Sequence, residues 1–386
     1  MDITSFGSHK TGRLLKISAG DGSDWAFIPG PVPRDWSLPH RLSDLLGDAR
    51  EKLGKLDGIG QTLTDPHLLL TPLQQREAIK SSSLEGTYAT PQEMLQYELD
   101  LSEPESKTDQ RSAWQEVHNY SKALNHGYTR LAVDDFPMTL RLIQETHDKL
   151  MRGVRGSDKR PGEFRDQQVH VGSGRRYIPP PANELRAVLD DLEKFLHDET
   201  PTLNPLVKAY MAHYQFEAIH PFHDGNGRIG RVLLALCTYR WHGHTKPWLY
   251  MSGYFDRYKD EYVDNMFRIS TEGDWETWIE FCLRGTVQQC LDSIRRCDRL
   301  HALKMTYYAD HSDAFDRAHR LIGKLFERPI FRINNVKDWL NVSRPTAKSD
   351  IDKLIERGVV RHLMGQKPKT YFAPEIFAAA YQEDSD

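Results

Sequence analysis

Two helical stretches, residues 204–219 and 232–241, are joined by His220-Pro221-Phe222-His223-Asp224-Gly225-Asn226-Gly227-Arg228-Ile229-Gly230-Arg231, and this junction narrows the possible folds sharply. The first helix ends near His220, because the residue before a proline is pushed out of the helical region. Gly225-Asn226-Gly227 reads as a loop whose glycines let successive backbone N–H groups face one point. Such amides at the start of a helix form an anion-binding nest. Arg228 and Arg231 are three apart and lie on one face of the second helix. Two guanidinium groups beside a nest describe a seat for a polyphosphate rather than for a single carboxylate. Asp224 at the rim can hold a Mg²⁺ that bridges phosphate oxygens, and His220 is a base within reach of the phosphate centre. The histidines His213, His220 and His223 match no zinc-ligand spacing, and His213 reads as a packed helix residue.

The rest of the chain reads as mainly α. Leu42, Leu45, Leu46 and Leu53 recur at helical spacing, and a second helix covers 70–83 with Gly86 as its stop. Thr90-Pro91-Gln92-Glu93 carries a capping box for another helix. Helices follow over 113–130, 137–151, 183–197, 258–270 and 275–300. Two regions break the pattern. Residues 25–33 hold Pro29, Pro31 and Pro33, too many for a helix interior or a central strand, and read as an extended arm. Residues 164–180 read as a β-hairpin or flap around Val169, His170 and Val171, turning at Gly172-Ser173-Gly174.

The tail differs in charge. Residues 316–370 hold thirteen Lys/Arg against six Asp/Glu, while the remainder holds 38 against 49. Helices over 333–340 and 347–357 around Ser343-Arg344-Pro345, then strands at 359–363 and 370–372, outline a winged helix-turn-helix. Arg344, Lys348, Lys353 and Arg357 suit DNA, but Asp350, Asp352 and Glu356 are interleaved, so protein docking is as good a reading. The 386 residues are 39% hydrophobic with a net charge of −4, a globular composition that excludes a largely disordered chain. The apolar runs fall far short of the ~20 residues a membrane span needs. Residues 1–20 show no basic-then-apolar leader, and the four cysteines have no CxxC spacing, so the cytoplasm is the expected compartment.

The 220–231 stretch resembles the signature of Fic-domain proteins of the Fic/DOC family, HPFx(D/E)GNGRxxR, at every defined position. Ser81-Ser82-Ser83-Leu84-Glu85-Gly86 resembles that family's (S/T)xxxE(G/N) inhibitory motif, placed upstream of the core. The resemblance implies a Fic helical core with a β-hairpin flap and a C-terminal winged helix-turn-helix. Its expected segments are 1–100 (arm and inhibitory helix), 101–300 (catalytic core) and 310–386 (winged helix). It implies transfer of AMP from ATP to a Ser, Thr or Tyr hydroxyl of a protein, including the chain itself. His220 would take the hydroxyl proton; Asp224 would bind Mg²⁺ or Mn²⁺. Gly225, Asn226, Gly227, Arg228 and Arg231 would hold the phosphates, with Tyr258 and Asn265 at the nucleobase. Ser81, Glu85 and Gly86 would form the inhibitory element, Glu85 pairing with Arg231. Val169 to Val171 would dock the target by strand addition. Three rivals stay open: removal of AMP with Glu85 positioning water, transfer of another phosphate-linked group such as UMP, phosphocholine or a phosphate, the last of which Asp224 with Gly227 disfavours, and a DNA-binding regulator acting through the tail. A homodimer and DNA are further candidate partners; a membrane is not.

Overall fold

The computed structural model describes residues 1–7, 11–19, 22–63, 66–101, 109–172, 176–198, 203–310 and 317–383. The proline-bearing arm is in fact part of a hairpin. Strand β1 (Gly12–Ala19) pairs antiparallel with β2 (Gly22–Pro29), from Gly12 opposite Pro29 to Ala19 opposite Gly22. In a two-stranded ribbon there is no central strand to exclude proline, and Pro29 stands at the strand end. Ala26, Phe27 and Ile28 are buried, and the Phe27 N–H donates to the Ile178 carbonyl at 2.8 Å, strapping the ribbon onto the body.

The body is helical: α1 (Ser43–Thr62), α2 (His67–Leu84), α3 (Pro91–Tyr97), α4 (Gln110–Ala132), α5 (Leu140–Met151), α6 (Ala182–Leu196), α7 (Pro205–Ile219), α8 (Asn226–His242), α9 (Ser252–Arg257), α10 (Lys259–Glu272) and α11 (Trp275–Asp310). The Thr90–Glu93 capping box opens α3. Almost every side chain of α7 is buried, as expected for a helix that others surround. It packs on α8, and α2, α4 and α5 also pack on α8. Between α5 and α6 the expected β-hairpin reduces, among the described residues, to one bridge between Val171 and Tyr177; Ser173 and Gly174 lie outside the described residues.

The tail contains α12 (Arg317–Glu327), β3 (Ile330–Arg332), α13 (Ile333–Leu340), α14 (Arg344–Glu356), β4 (Arg361–Leu363), β5 (Thr370–Phe372) and α15 (Pro374–Tyr381). The strands form an antiparallel sheet in the order β3-β5-β4. Asn341, in the left-handed region, ends α13, and the Ser343 hydroxyl caps α14. The tail has its own apolar core, built on Leu321, Phe326, Phe331, Ile351 and Tyr371. Leu300 and Tyr307 of α11 and Leu95 of α3 belong to that core, so α11 runs from one core into the other. Residues from 6 to 297 share the first core, which therefore spans the arm and the α2 segment as well as the central helices. Among the described residues, no helix is long and apolar enough to cross a membrane.

Candidate active site

The loop between α7 and α8 is held from below. His220 closes α7 at φ 51°, ψ 61°, a left-handed conformation that costs a non-glycine residue ~1–3 kcal/mol. Buried Arg165 stabilises it. Its Nε donates to the His220 carbonyl at 2.8 Å, Nη1 to the Gln167 carbonyl at 3.1 Å, and Nη2 to the carbonyls of Pro180 and Ile219. Burial lowers the Arg165 guanidinium to about 10, so it stays charged at neutral pH. Next, Phe222 is fully buried and stacks on His147, with centroids 3.7 Å apart and planes at 4°. His147 has one consistent tautomer. Its Nε2–H donates to the Asp224 carbonyl at 3.0 Å, and Nδ1 accepts the Gly162 N–H at 2.9 Å. Burial drops its pKa to about 4 and keeps it neutral.

The Asn226 side chain faces into the loop rather than out of it. Its amide clamps both backbone groups of Phe222, at 2.8 and 2.9 Å, and only 2% of the residue is exposed. The side chain shapes the loop and leaves the backbone N–H of the residue to the nest. Helix α8 starts at Asn226, one residue inside the expected loop; Gly225, at φ 79°, is its N-cap. The first-turn N–H groups of α8 have no partners within the helix, which leaves them to face an anion.

The two arginines part company. Arg228 turns to buried Glu116 of α4 at 3.0 Å, with Asp224 at 3.6 Å, and is 1% exposed. It does not lie beside Arg231 on an open face as the spacing suggested; the buried carboxylate of α4 draws it away. Arg231 turns to α2: Nε donates to the Ser81 hydroxyl at 2.7 Å, and Nη2 donates to the Ser81 carbonyl and to Glu85 Oε1, both at 2.8 Å. Gly86, at φ 80°, ends α2 and sets Glu85 at its C-cap. A Cβ added to Gly227 would come 2.2 Å from Glu85 Oε1, so this carboxylate rests on the first turn of α8. Burial works against its charge, but Arg231 beside it prevails, with Arg228 and His220 adding, and the carboxyl is held below its usual range.

His220 donates from Nδ1 toward the Glu217 carbonyl at 3.4 Å, which assigns Nε2 as the basic nitrogen. Burial, with Arg165 adding, lowers its pKa to about 4. Glu217, one turn back on α7, was not foreseen. Its Oε1 is buried without a partner, and burial lifts its pKa to about 8, with Glu85 adding and Arg231 opposing. Asp224 points outward, its side chain 38% exposed, and Oδ1 accepts the Gly225 N–H at 2.6 Å. No group of three His, Cys, Asp or Glu that could hold a metal occurs among the described residues.

Of the residues expected at the nucleobase, Tyr258 caps α10 at the break after α9, and its ring packs on Tyr254 at 4.8 Å. Tyr262 and Asn265 sit deeper on α10. The Tyr262 hydroxyl meets His213 at 2.8 Å, whereas Asn265 Nδ2 is buried with no partner. His213 is fully buried and also meets the Gly230 carbonyl, so it is a packed residue, as expected. Val171 lines a small apolar cavity with Tyr177, Glu217, Met266 and Phe267, while His170 is exposed. Arg165, His147, Glu116 and Glu217 carry no sequence signal, because each acts through a partner far away in the chain.

Residues 43–129 match the family described as "Fic/DOC family N-terminal", and residues 137–238 match "Fic/DOC family". The protein adenylyltransferase Fic of Drosophila erecta is 39% identical over 103 residues, 26% of this chain and 20% of the fly protein. The protein adenylyltransferase Fic of Aedes aegypti is 32% identical over 149 residues, 38% of this chain and 27% of that protein. The chain thus spans about a fifth to a quarter of the length of these curated relatives. A Fic family protein from Desulfovibrio desulfuricans G20 has the same fold: TM-score 0.58 at 20% identity, over 88% of this chain and 97% of that one. Through residues 43–238, with the helix–loop–helix and its glycine-lined nest at their end, this chain belongs to the Fic/DOC family.

Proposed function

We propose that the chain is a protein adenylyltransferase held in check by its own Glu85. One observation carries this reading: a charged carboxylate, paired with Arg231, lies on the glycine-lined N-terminus of α8, beside a neutral histidine. A seat that attracts a carboxylate so strongly suits the terminal phosphate of ATP. With Glu85 displaced, Arg231 and the α8 amides hold the β- and γ-phosphates. His220 Nε2 takes the proton of a target Ser, Thr or Tyr hydroxyl. The hydroxyl oxygen bonds to the α-phosphorus, the bond from that phosphorus to the bridging oxygen breaks, and pyrophosphate leaves. A Mg²⁺ or Mn²⁺ accompanying the triphosphate would be held by Asp224 and would neutralise charge on the phosphate oxygens. Asn265, with its idle buried Nδ2, suits hydrogen bonding to the base, with Tyr258 beside it. Val169, His170 and Val171 would present an edge to the target segment.

The division at 1–100, 101–300 and 310–386 belongs to the same proposal, supported at its second boundary by the separate core of the tail. That tail docks a protein or DNA in this reading, and the chain itself is among the targets. The test is incubation with labelled ATP and Mg²⁺ followed by intact mass measurement. One added adenylate on the chain or on a lysate protein, absent with His220→Ala, is expected. A gain of phosphate alone, or label equal in both proteins, contradicts the reading. Release of AMP from a pre-modified target would instead favour the reverse reaction.

A further inference from the structure

A cleft of about 510 Å³ opens between α2, α9, α11 and the segment that follows α15. None of residues 220–231 lines it, and its α2 wall is formed by Arg76 and Lys80 rather than by Ser81 and Glu85. Five cations stand in its walls: Arg76, Lys80, Arg257, Arg295 and Arg296. Among the described residues, three carboxylates line the cleft with them. Asp292 takes Arg76 at 2.7 Å and Arg296 Nε at 2.9 Å. Asp256 takes the Ser83 hydroxyl at 3.1 Å and faces Lys80 at 3.5 Å. Glu383 reaches in from the segment after α15 to Lys80 at 2.6 Å, with 56% of its side chain exposed.

Arg296 is the second, independent mark. It is 1% exposed, yet its guanidinium is not satisfied. Nη1 donates to the carbonyls of Gln382 at 2.7 Å and Ala380 at 3.4 Å, and buried Nη2 has no partner. An idle donor on a buried charge is costly, and sites that keep one commonly serve a ligand.

We infer that this cleft is an anion site for the phosphate group of a small molecule, and that Glu383 is the chain's own occupant of it. Glu383 is a weak occupant: a half-exposed ion pair contributes ~0–1 kcal/mol. A phosphate dianion carries up to twice its charge and more acceptor oxygens. When it displaces Glu383, the Gln382 carbonyl moves away with it. Lys80 then meets the phosphate as a point charge, and Arg296 turns Nη1 and Nη2 to it as a fork. Arg76 and Arg257 already act on the Glu383 carboxyl, which Lys80 chiefly holds below its usual range, so three of the five cations focus on one spot. Tyr254 and Tyr258 are among the lining residues and give a planar substituent aromatic carbon to pack on. The volume lies within the ~300–1,000 Å³ usual for small-molecule sites.

The test is calorimetric titration of the full chain with inorganic phosphate and, separately, with phenyl phosphate. Glu383→Gln removes the competing carboxylate and should tighten both probes about threefold, the scale of one partly exposed ion pair, while Lys80→Gln should weaken them by about as much. Tighter binding of phenyl phosphate assigns an aryl or nucleoside phosphate as the ligand; equal binding assigns free phosphate. Glu383 has 56% of its side chain exposed, and replacing such a residue costs the fold little, so its arm stands even if Lys80→Gln disturbs α2. No heat from either probe at millimolar concentration with Glu383→Gln, or affinities that neither substitution moves, would overturn the inference.

Discussion

At Glu85 two electrostatic effects oppose each other. Burial disfavours the carboxylate, and the guanidinium of Arg231 at 2.8 Å more than compensates. The charge matters more than the shape, so Glu85→Gln should loosen the contact while keeping the side chain in place. ATP affinity, measured by titration calorimetry, should rise on the order of tenfold, within the usual range for coupled sites. Unchanged affinity would mean that the carboxylate does not compete with the nucleotide. His220 gives a second prediction. Its pKa near 4 means that the basic form is already complete at neutral pH. Any acid limb of the transfer rate that belongs to this group should fall near pH 4 in the free enzyme. A limb near 6.5, the value of an unperturbed imidazole, would contradict the burial argument.

The elements around the loop explain which parts of the site could be read beforehand. The His-Pro junction, the glycines of the nest and the stop at Gly86 follow from local backbone rules, and they stand where the spacing placed them, to within a residue. Arg228 could not be read that way. Helical spacing put it on the same face as Arg231, but its direction was decided by Glu116, more than a hundred residues earlier. The same holds for the hairpin β1–β2: proline content argued for an extended arm strapped to the body by its apolar residues, and pairing with β1 made it a ribbon. Arg165 is the extreme case, a lone arginine in a glycine- and proline-rich loop that ties four carbonyls together. Arg165→Met keeps the bulk and leaves those carbonyls unpaired, so it should cost about 2–4 kcal/mol in denaturant unfolding. A loss under about 1 kcal/mol, typical of a surface change, would show that the strained His220 conformation needs no such support.

Across the whole molecule, burial of neutral histidines links stability to pH. His213, His147 and His220 sit at about 3, 4 and 4, well below the unfolded value near 6.5. Between those limits the unfolded chain binds more protons than the native one, so stability is full above about pH 6.5 and is lost as pH falls toward 4. Glu217, at about 8, and Glu77, raised by burial, act in the opposite direction, favouring the native state at lower pH, but His242, at about 4, and His244, also lowered by burial, add to the histidine side. The melting temperature should therefore drop steadily from pH 6.5 to 4.5; a flat profile would contradict the burial of these rings. The cores are joined by α11, and α15 reaches α2 through the hydrogen bond from the Tyr381 hydroxyl to Gln75, so the tail touches the helix that carries Glu85. The most direct measurement of the central claim is the rate of AMP incorporation from labelled ATP by three full-length proteins: wild type, Glu85→Gly, and Glu85→Gly with His220→Ala. Incorporation at least about tenfold faster with Glu85→Gly, and abolished in the double variant, is the expected result. Equal rates for wild type and Glu85→Gly, or incorporation that survives loss of His220, would contradict it.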